Sequence, residues 1–300
     1  MIRPPRLRPG ARVALIAPAG PVTQERLDIA LDRCARLDLV PVPGAAARGR
    51  HGGYLAGSDD QRLADLHWAL TSPEIDAVWA LRGGYGAMRL LDRIDLAPLI
   101  ESPRAYIGFS DNTAVHLALL ARRVVSFHAP HAGGDATALA EQCLRAVLFD
   151  ARAAGVLPLP AKPATITLRE GVADGPLVGG NLAILAGMCG TPGAPVARGA
   201  ILFVEDIEEP AYRLDRMWTQ LRLSGALDGV AGLAFGRFTD CGERDSVRAL
   251  LQECADAAGV PAVMELPIGH EPDNWTLPLG VRARLDAARG TLELLEPAVA

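Results

Sequence analysis

Four short segments of the 300-residue chain hold side chains that could do chemistry. In AYIGFSDNT, at 105–113, an apolar run leads into Ser110 and a helical pattern follows at once. A serine at a strand-to-helix turn has its hydroxyl held out beyond the sheet. The next backbone N–H, of Asp111, can then stabilise an oxyanion beside the helix N-terminus. An N-capping serine fits the same pattern, and the segment lacks the second glycine of the G-x-S-x-G elbow. The second segment, LRGGYGA at 81–87, closes another apolar run. Its glycines admit close approach of backbone to a ligand, and its N–H groups can hold an anion. It is no dinucleotide fingerprint, because Arg89 occupies the third-glycine position, and no phosphate-cradling Walker loop. A second oxyanion donor from Gly84 and a plain tight turn both fit.

The third segment, LFVEDIEEP at 202–210, sets Glu205 and Asp206 at the end of an apolar strand, where open α/β folds place ligands. Orienting a histidine, capping a helix and facing solvent all remain open for these acids. In the fourth, LPIGHEPDNWTLPLG at 266–280, His270 lies in a loop punctuated by glycine and proline, the most site-like setting among six histidines. His67 and His116 fall on helical patterns and read as structural. His128 and His131 could be taken for a metal pair, but no third ligand follows at a recognisable spacing. No H-E-x-x-H occurs, and Lys162, the only lysine, precedes a proline in an irregular stretch. A serine hydrolase built here therefore needs a histidine base, and His270 is the candidate.

These residues need elements to hold them. Residues 12–17 read as a buried strand and 23–37 as a helix, with Leu27, Ala30, Leu31 and Cys34 on one side. Ser58 with Asp59 and Asp60 opens a helix through Leu63, Leu66 and Leu70. Strands follow at 75–81, 104–109 and 124–127, with a helix at 111–122. Continuous apolar strands alternating with helices predict a parallel sheet covered on both faces. Pro158, Pro160, Pro163 and Pro176 then break the pattern, which predicts a linker at 151–178 between domains at 1–150 and 179–300. Beyond it come a helix near 181–189, a strand at 200–204 and a helix at 211–223 with Leu214, Trp218 and Leu221 as its apolar stripe. An antiparallel meander is expected at 277–294.

The bulk composition narrows the function classes. A net charge of −5 with scattered acids gives no basic footprint for nucleic acid. No run approaches the ~20 apolar residues of a membrane span, and the apolar run at 13–17 is too short for a signal peptide core of ~7–15 residues. Five widely spaced cysteines suggest no disulfide framework and a reducing, cytoplasmic setting.

Taken together, the chain resembles the LD-carboxypeptidase family of serine peptidases, which includes muramoyltetrapeptide carboxypeptidases and microcin C self-immunity hydrolases. The matching pieces run in order: VALIAPAG (13–20), RGGYG (82–86), IGFSDNT (107–113), FHAP (127–130), GGNL (179–182), Glu205-Asp206 with YRLDR (212–216), and LPIGH (266–270). Phe109, Asn112 and Ala129 stand where Tyr, Ile and Gly are common. The resemblance implies a flavodoxin-like N-terminal α/β domain and a C-terminal domain with a small barrel-like sheet. It also implies a triad of Ser110, Glu205 and His270, with oxyanion donors at Asp111 and Gly84 and no cofactor. The implied reaction releases terminal D-alanine from a cytoplasmic murein tetrapeptide, and a homodimer is plausible on the same basis. Arg82, Tyr85 and Arg213 are candidate substrate contacts. The alternatives are a hydrolase of peptidyl- or aminoacyl-nucleotides and a non-catalytic binding protein.

Overall fold

The computed structural model describes residues 1–300. In the first half, strands β1 (Arg12–Ile16), β2 (Val40–Pro43), β3 (Ala77–Ala80), β4 (Ala105–Gly108) and β5 (Phe127–His128) are parallel neighbours in the order 2-1-3-4-5. That is the flavodoxin-like order, with its switch point between β1 and β3. Helices α1 (Gln24–Arg36), α2 (Asp59–Thr71), α3 (Pro98–Glu101), α4 (Thr113–Ala121) and α5 (Ala138–Leu148) surround it. Alternation along β1 sends Val13 and Leu15 into one apolar cluster with residues of α1 and α5, and Ala14 and Ile16 into another with residues of α2 and α4. Strands buried on both faces account for continuous apolar runs in place of alternation. Local chemistry sets the helix starts: Thr23 caps α1, and Ser58 forms a reciprocal capping box with Gln61 at α2.

The second half holds β6 (Gly155–Val156), β7 (Ile166–Arg169), β8 (Val172–Asn181), β9 (Ile201–Ile207), β10 (Gly232–Thr239) and β11 (Ala262–Met264), with α6 (Leu182–Gly187), α7 (Ala211–Leu223) and α8 (Arg244–Ala258). The chain ends with β12 (Leu277–Pro278), β13 (Arg282–Asp286) and β14 (Thr291–Leu294). Eight strands form a mixed sheet in the order β6-β14-β13-β8-β9-β10-β11-β7. β8 is its pivot, antiparallel to β13 over its first half and parallel to β9 over its second. The edges β6 and β7 do not pair with each other, so the barrel-like expectation resolves into an open sheet.

Two features differ from the sequence expectation. The stretch 151–178, read as linker, carries β6, β7 and most of β8. β12, expected within a meander, instead crosses to the first sheet and pairs antiparallel with β5, Leu277 opposite His128. Both apolar clusters run through both halves; Phe203, Ala234 and Val263 join Leu15 and Trp79 in one of them. No helix is long and apolar enough to cross a membrane.

Candidate active site

Ser110 lies just beyond the C-terminal end of β4 and opens a 3₁₀ turn, Ser110–Asn112, that runs into α4. Its φ is +58°, in the left-handed region. That conformation costs a non-glycine residue on the order of 1–3 kcal/mol, and such strain clusters at functional sites. The Ser110 side chain caps nothing in α4, so the capping reading gives way. Its Oγ instead lies 3.1 Å from His270 Nε2, and His270 Nδ1 lies 2.7 Å from Glu205 Oε2. Residues 65 and 160 positions apart in sequence meet in one chain of hydrogen bonds.

Glu205 sits inside β9, with no exposed surface. Opposite it, β10 carries a bulge: Phe235 pairs with Val204 and Phe238 with Asp206, one residue more on the β10 side. Gly269, at φ +122°, lets the His270 loop pass close to Glu205. A Cβ there would lie 2.9 Å from Glu205 Oε2 and 3.0 Å from its Cβ. The glycine-histidine pair in LPIGH is thus a steric requirement of the Glu205–His270 contact. Asp206 points the other way, accepting from Asn181 Nδ2 at 2.8 Å and from the Ala183 N–H of α6 at 3.0 Å. Burial, followed by the neighbouring Glu205 charge, pushes its pKa up to about 6. For His270, burial opposes the charged form, but the Glu205 carboxylate outweighs it and the pKa is raised.

The glycine turn after β3 lies against the serine. A Cβ on Gly83 would stand 2.9 Å from both Cβ and Oγ of Ser110. The Gly20 N–H donates to the Gly83 carbonyl at 2.9 Å. In a trans peptide N–H and C=O point in opposite directions, so the Gly84 N–H faces away from the Gly20 turn. Asp111 reaches back to the same turn, its Oδ2 accepting from the Ala87 N–H at 2.8 Å. Burial raises the Asp111 pKa to about 6 despite that bond and the nearby Arg62. Arg62, with no exposed surface, donates to the carbonyls of Gly57, Pro18 and Gly86 and so braces the turn from behind.

Around the serine opens a cleft of about 580 Å³, lined by Arg26, Arg82, Gly83, Gly84, His131, Glu208, Glu271 and Asn274 among others. Arg82 is in this wall, donating to the Pro21 carbonyl at 2.9 Å. Burial and the nearby Arg26 charge lower its pKa. Tyr85 and Arg213 are not in the wall. Tyr85 is half exposed and stacks near Tyr54, while Arg213 pairs with Glu209 at 2.8 Å on the N-terminal turn of α7. Sequence reasoning missed Arg26, on the first turn of α1, and Glu208 and Glu271, which lie within the third and fourth segments with nothing in the local pattern to mark them. It also missed Phe109, whose ring lies 4.8 Å from that of His270 and 4.2 Å from that of His131. His128 is buried between Phe109 and Phe203, and His116 bonds Ser126 and the Gly108 carbonyl. The buried thiols of Cys34, Cys143, Cys241 and Cys254 are pushed up to about 11 or 12 by desolvation, which keeps them protonated and poor nucleophiles at neutral pH.

Comparison with known proteins places the chain among relatives over its whole length. Residues 13–129 match the LD-carboxypeptidase N-terminal domain, and residues 174–285 match the LD-carboxypeptidase C-terminal domain. A Streptomyces coelicolor protein is 43% identical over 307 residues, covering 100% of this chain and 98% of that protein. The murein tetrapeptide carboxypeptidase of Pseudomonas aeruginosa is 35% identical over 289 residues, 93% of this chain and 94% of that one. The crystal structure of a muramoyltetrapeptide carboxypeptidase from Oxalobacter formigenes superposes with a TM-score of 0.81 at 32% identity, covering 95% and 98% of the two chains. The microcin C7 self-immunity protein MccF, bound to glutamyl sulfamoyl guanosine, shares the fold over the full length of both chains, with a TM-score of 0.91 at 22% identity.

Proposed function

This chain belongs to the LD-carboxypeptidase family, and on that premise we propose that it releases the terminal D-alanine of a murein tetrapeptide through a Ser110–His270–Glu205 triad. The observation that carries the reading is the 3.1 Å and 2.7 Å relay ending at a strained serine on a polar cleft. Glu205 accepts the proton-bearing Nδ1 of His270, which leaves Nε2 free to take the Ser110 proton as Oγ attacks the amide carbonyl. The Asp111 and Gly84 N–H groups stabilise the oxyanion. His270 then returns its proton to the leaving D-alanine amine, and water attacks the acyl-enzyme with His270 again as base. The triad and water supply every proton transfer.

The cleft wall carries both signs of charge, with Arg26 and Arg82 on segments of the first half and Glu208 and Glu271 on segments of the second. The arginines are suited to the substrate's terminal carboxylate and the acids to the ammonium of a diamino acid at position three. The proposal assigns the nucleophile to a domain spanning 1–150 and the acid and base to one spanning 179–300. It sets the reaction in the cytoplasm, on peptides recovered from the cell wall, in a homodimeric enzyme. An aminoacyl-nucleotide substrate is less suited, because residues 182–200 hold no aromatic side chain to stack on a base.

The test is incubation of the wild type and of Ser110→Ala with L-Ala-γ-D-Glu-meso-diaminopimelate-D-Ala, read by mass spectrometry. Loss of one D-alanine in the wild type alone is expected. Cleavage by Ser110→Ala would refute the mechanism, and an uncleaved peptide would refute the substrate.

A further inference from the structure

We propose that Asn112 is a positioning residue for this reaction, clamping the nucleophile turn to the glycine turn; the inference rests on Ser110 being the nucleophile. Asn112 has no exposed surface. Its Nδ2 donates to the Phe109 carbonyl at 3.1 Å and to the Arg82 carbonyl at 3.3 Å, and lies 3.2 Å from His131 Nε2. Its Oδ1 accepts from the buried Tyr106 hydroxyl at 2.6 Å. The first two partners are the carbonyls of the peptide units that lead into Ser110 and into Gly83. One amide therefore holds the backbone immediately upstream of both oxyanion donors, Asp111 and Gly84.

Chemistry fixes the orientation of this amide. Reversed, its oxygen would face two carbonyl oxygens that can only accept. The Tyr106 hydroxyl closes the remaining valence, and burial strengthens each of these bonds by excluding competing water. The clamp has something to resist. Ser110 is in a left-handed conformation, and Gly83 approaches it so closely that a Cβ would lie 2.9 Å from the serine Oγ. A small slip of either turn changes the distance between the two N–H donors, the quantity an oxyanion hole depends on. The Asp111–Ala87 bond ties the far end of the glycine turn to the serine turn; at the near end the Gly20 N–H holds the Gly83 carbonyl, and Asn112 ties the Arg82 carbonyl to the serine turn.

The experiment measures tetrapeptide hydrolysis, the rate at which a fluorophosphonate probe labels the serine, and the melting temperature, for Asn112→Leu, Tyr106→Phe and the double variant. Asn112→Leu is expected to lower kcat and the labelling rate about 10- to 100-fold while KM stays within about twofold, the pattern of misplaced reacting groups. Tyr106→Phe should lower kcat about 3- to 10-fold, and the double variant should be no worse than Asn112→Leu, because the two act as one unit. A purely structural role would lower the melting temperature and leave kcat and labelling within twofold; that result overturns the proposal. If Asn112→Leu does not fold, Tyr106→Phe decides, and an unchanged kcat there overturns it equally. The probe reports on the turn whichever peptide is the substrate, and Ser110→Ala run alongside separates failure of this inference from failure of the nucleophile assignment.

Discussion

Gly83→Ala isolates the contact between the glycine turn and the serine. Gly83 does not have a positive φ, so alanine fits its backbone and the cost is steric. The new methyl carbon would sit 2.9 Å from Ser110 Cβ, 2.9 Å from Ser110 Oγ and 3.2 Å from His131 Cε1, where ordinary contact begins near 3.4 Å. About half an ångström must be found, and Ser110, pinned between β4 and α4, is the group in its path. Moving Oγ by that amount shifts it relative to His270 Nε2, 3.1 Å away, and spoils the distance or angle of that hydrogen bond. A misplacement of ~1 Å can cost ~10²-fold, so kcat should fall about 10- to 100-fold. Overpacking should also cost about 1–3 kcal/mol of stability, or about 2–4 °C in Tm per kcal/mol for a chain of this size. Turnover, probe labelling and thermal melting measure these together. Gly187→Ala, at the end of α6 with Met88 Sδ as its nearest neighbour at 3.5 Å, should leave kcat within about twofold. A folded Gly83→Ala enzyme with kcat within threefold of wild type would refute the reasoning.

Two other outcomes follow from the electrostatics. In the proposed mechanism His270 acts as base when neutral, and its pKa is raised, so the acid limb of the kcat profile should lie above 6.5. Glu205→Gln removes the strongest opposition to burial, leaving only the Asp206 and Glu208 charges, and should move that limb to lower pH while lowering kcat about 10²- to 10⁴-fold; a limb that stays in place refutes the assignment. His128 is fully buried, and burial holds its pKa well below 6.5. The unfolded chain takes up a proton that the native state refuses, so below pH 6.5 this residue destabilises the fold by about 1.4 kcal/mol per pH unit. His128→Leu removes the effect, and its melting temperature should fall less than that of the wild type between pH 7.5 and 5; equal falls would count against it.

Where periodicity was long, the sequence was informative. The 211–223 helix appears with the expected bounds and buries Leu214, Trp218 and Leu221. Ser58 starts α2, because a capping box is written in adjacent residues. The prolines at 158–176 misled, since proline is tolerated at edge strands and at changes of partner. β6 and β7 are edges, and Pro176 stands where β8 exchanges its antiparallel neighbour for a parallel one. A two-residue strand such as β12 carries no periodic signal at all. The four motifs brought Ser110, Glu205 and His270 to one place, yet Tyr85 and Arg213, neighbours of those motifs in sequence, turn away from the cleft. Arg26 comes to it from the first turn of α1, and Glu208 and Glu271 from within the third and fourth segments, a convergence that exists only in three dimensions.

The crossing of β12 has a mechanical consequence. The segment from Glu265 to Thr276 that carries His270 leaves β11 in the second sheet and is fastened by β12 to β5 in the first. His270 is strung like a bridge between two banks, and any hinged opening of one half against the other would pull directly on it. A strap of this kind resists relative motion of the two halves, so the spacing of Ser110 and His270 is held by the fold itself.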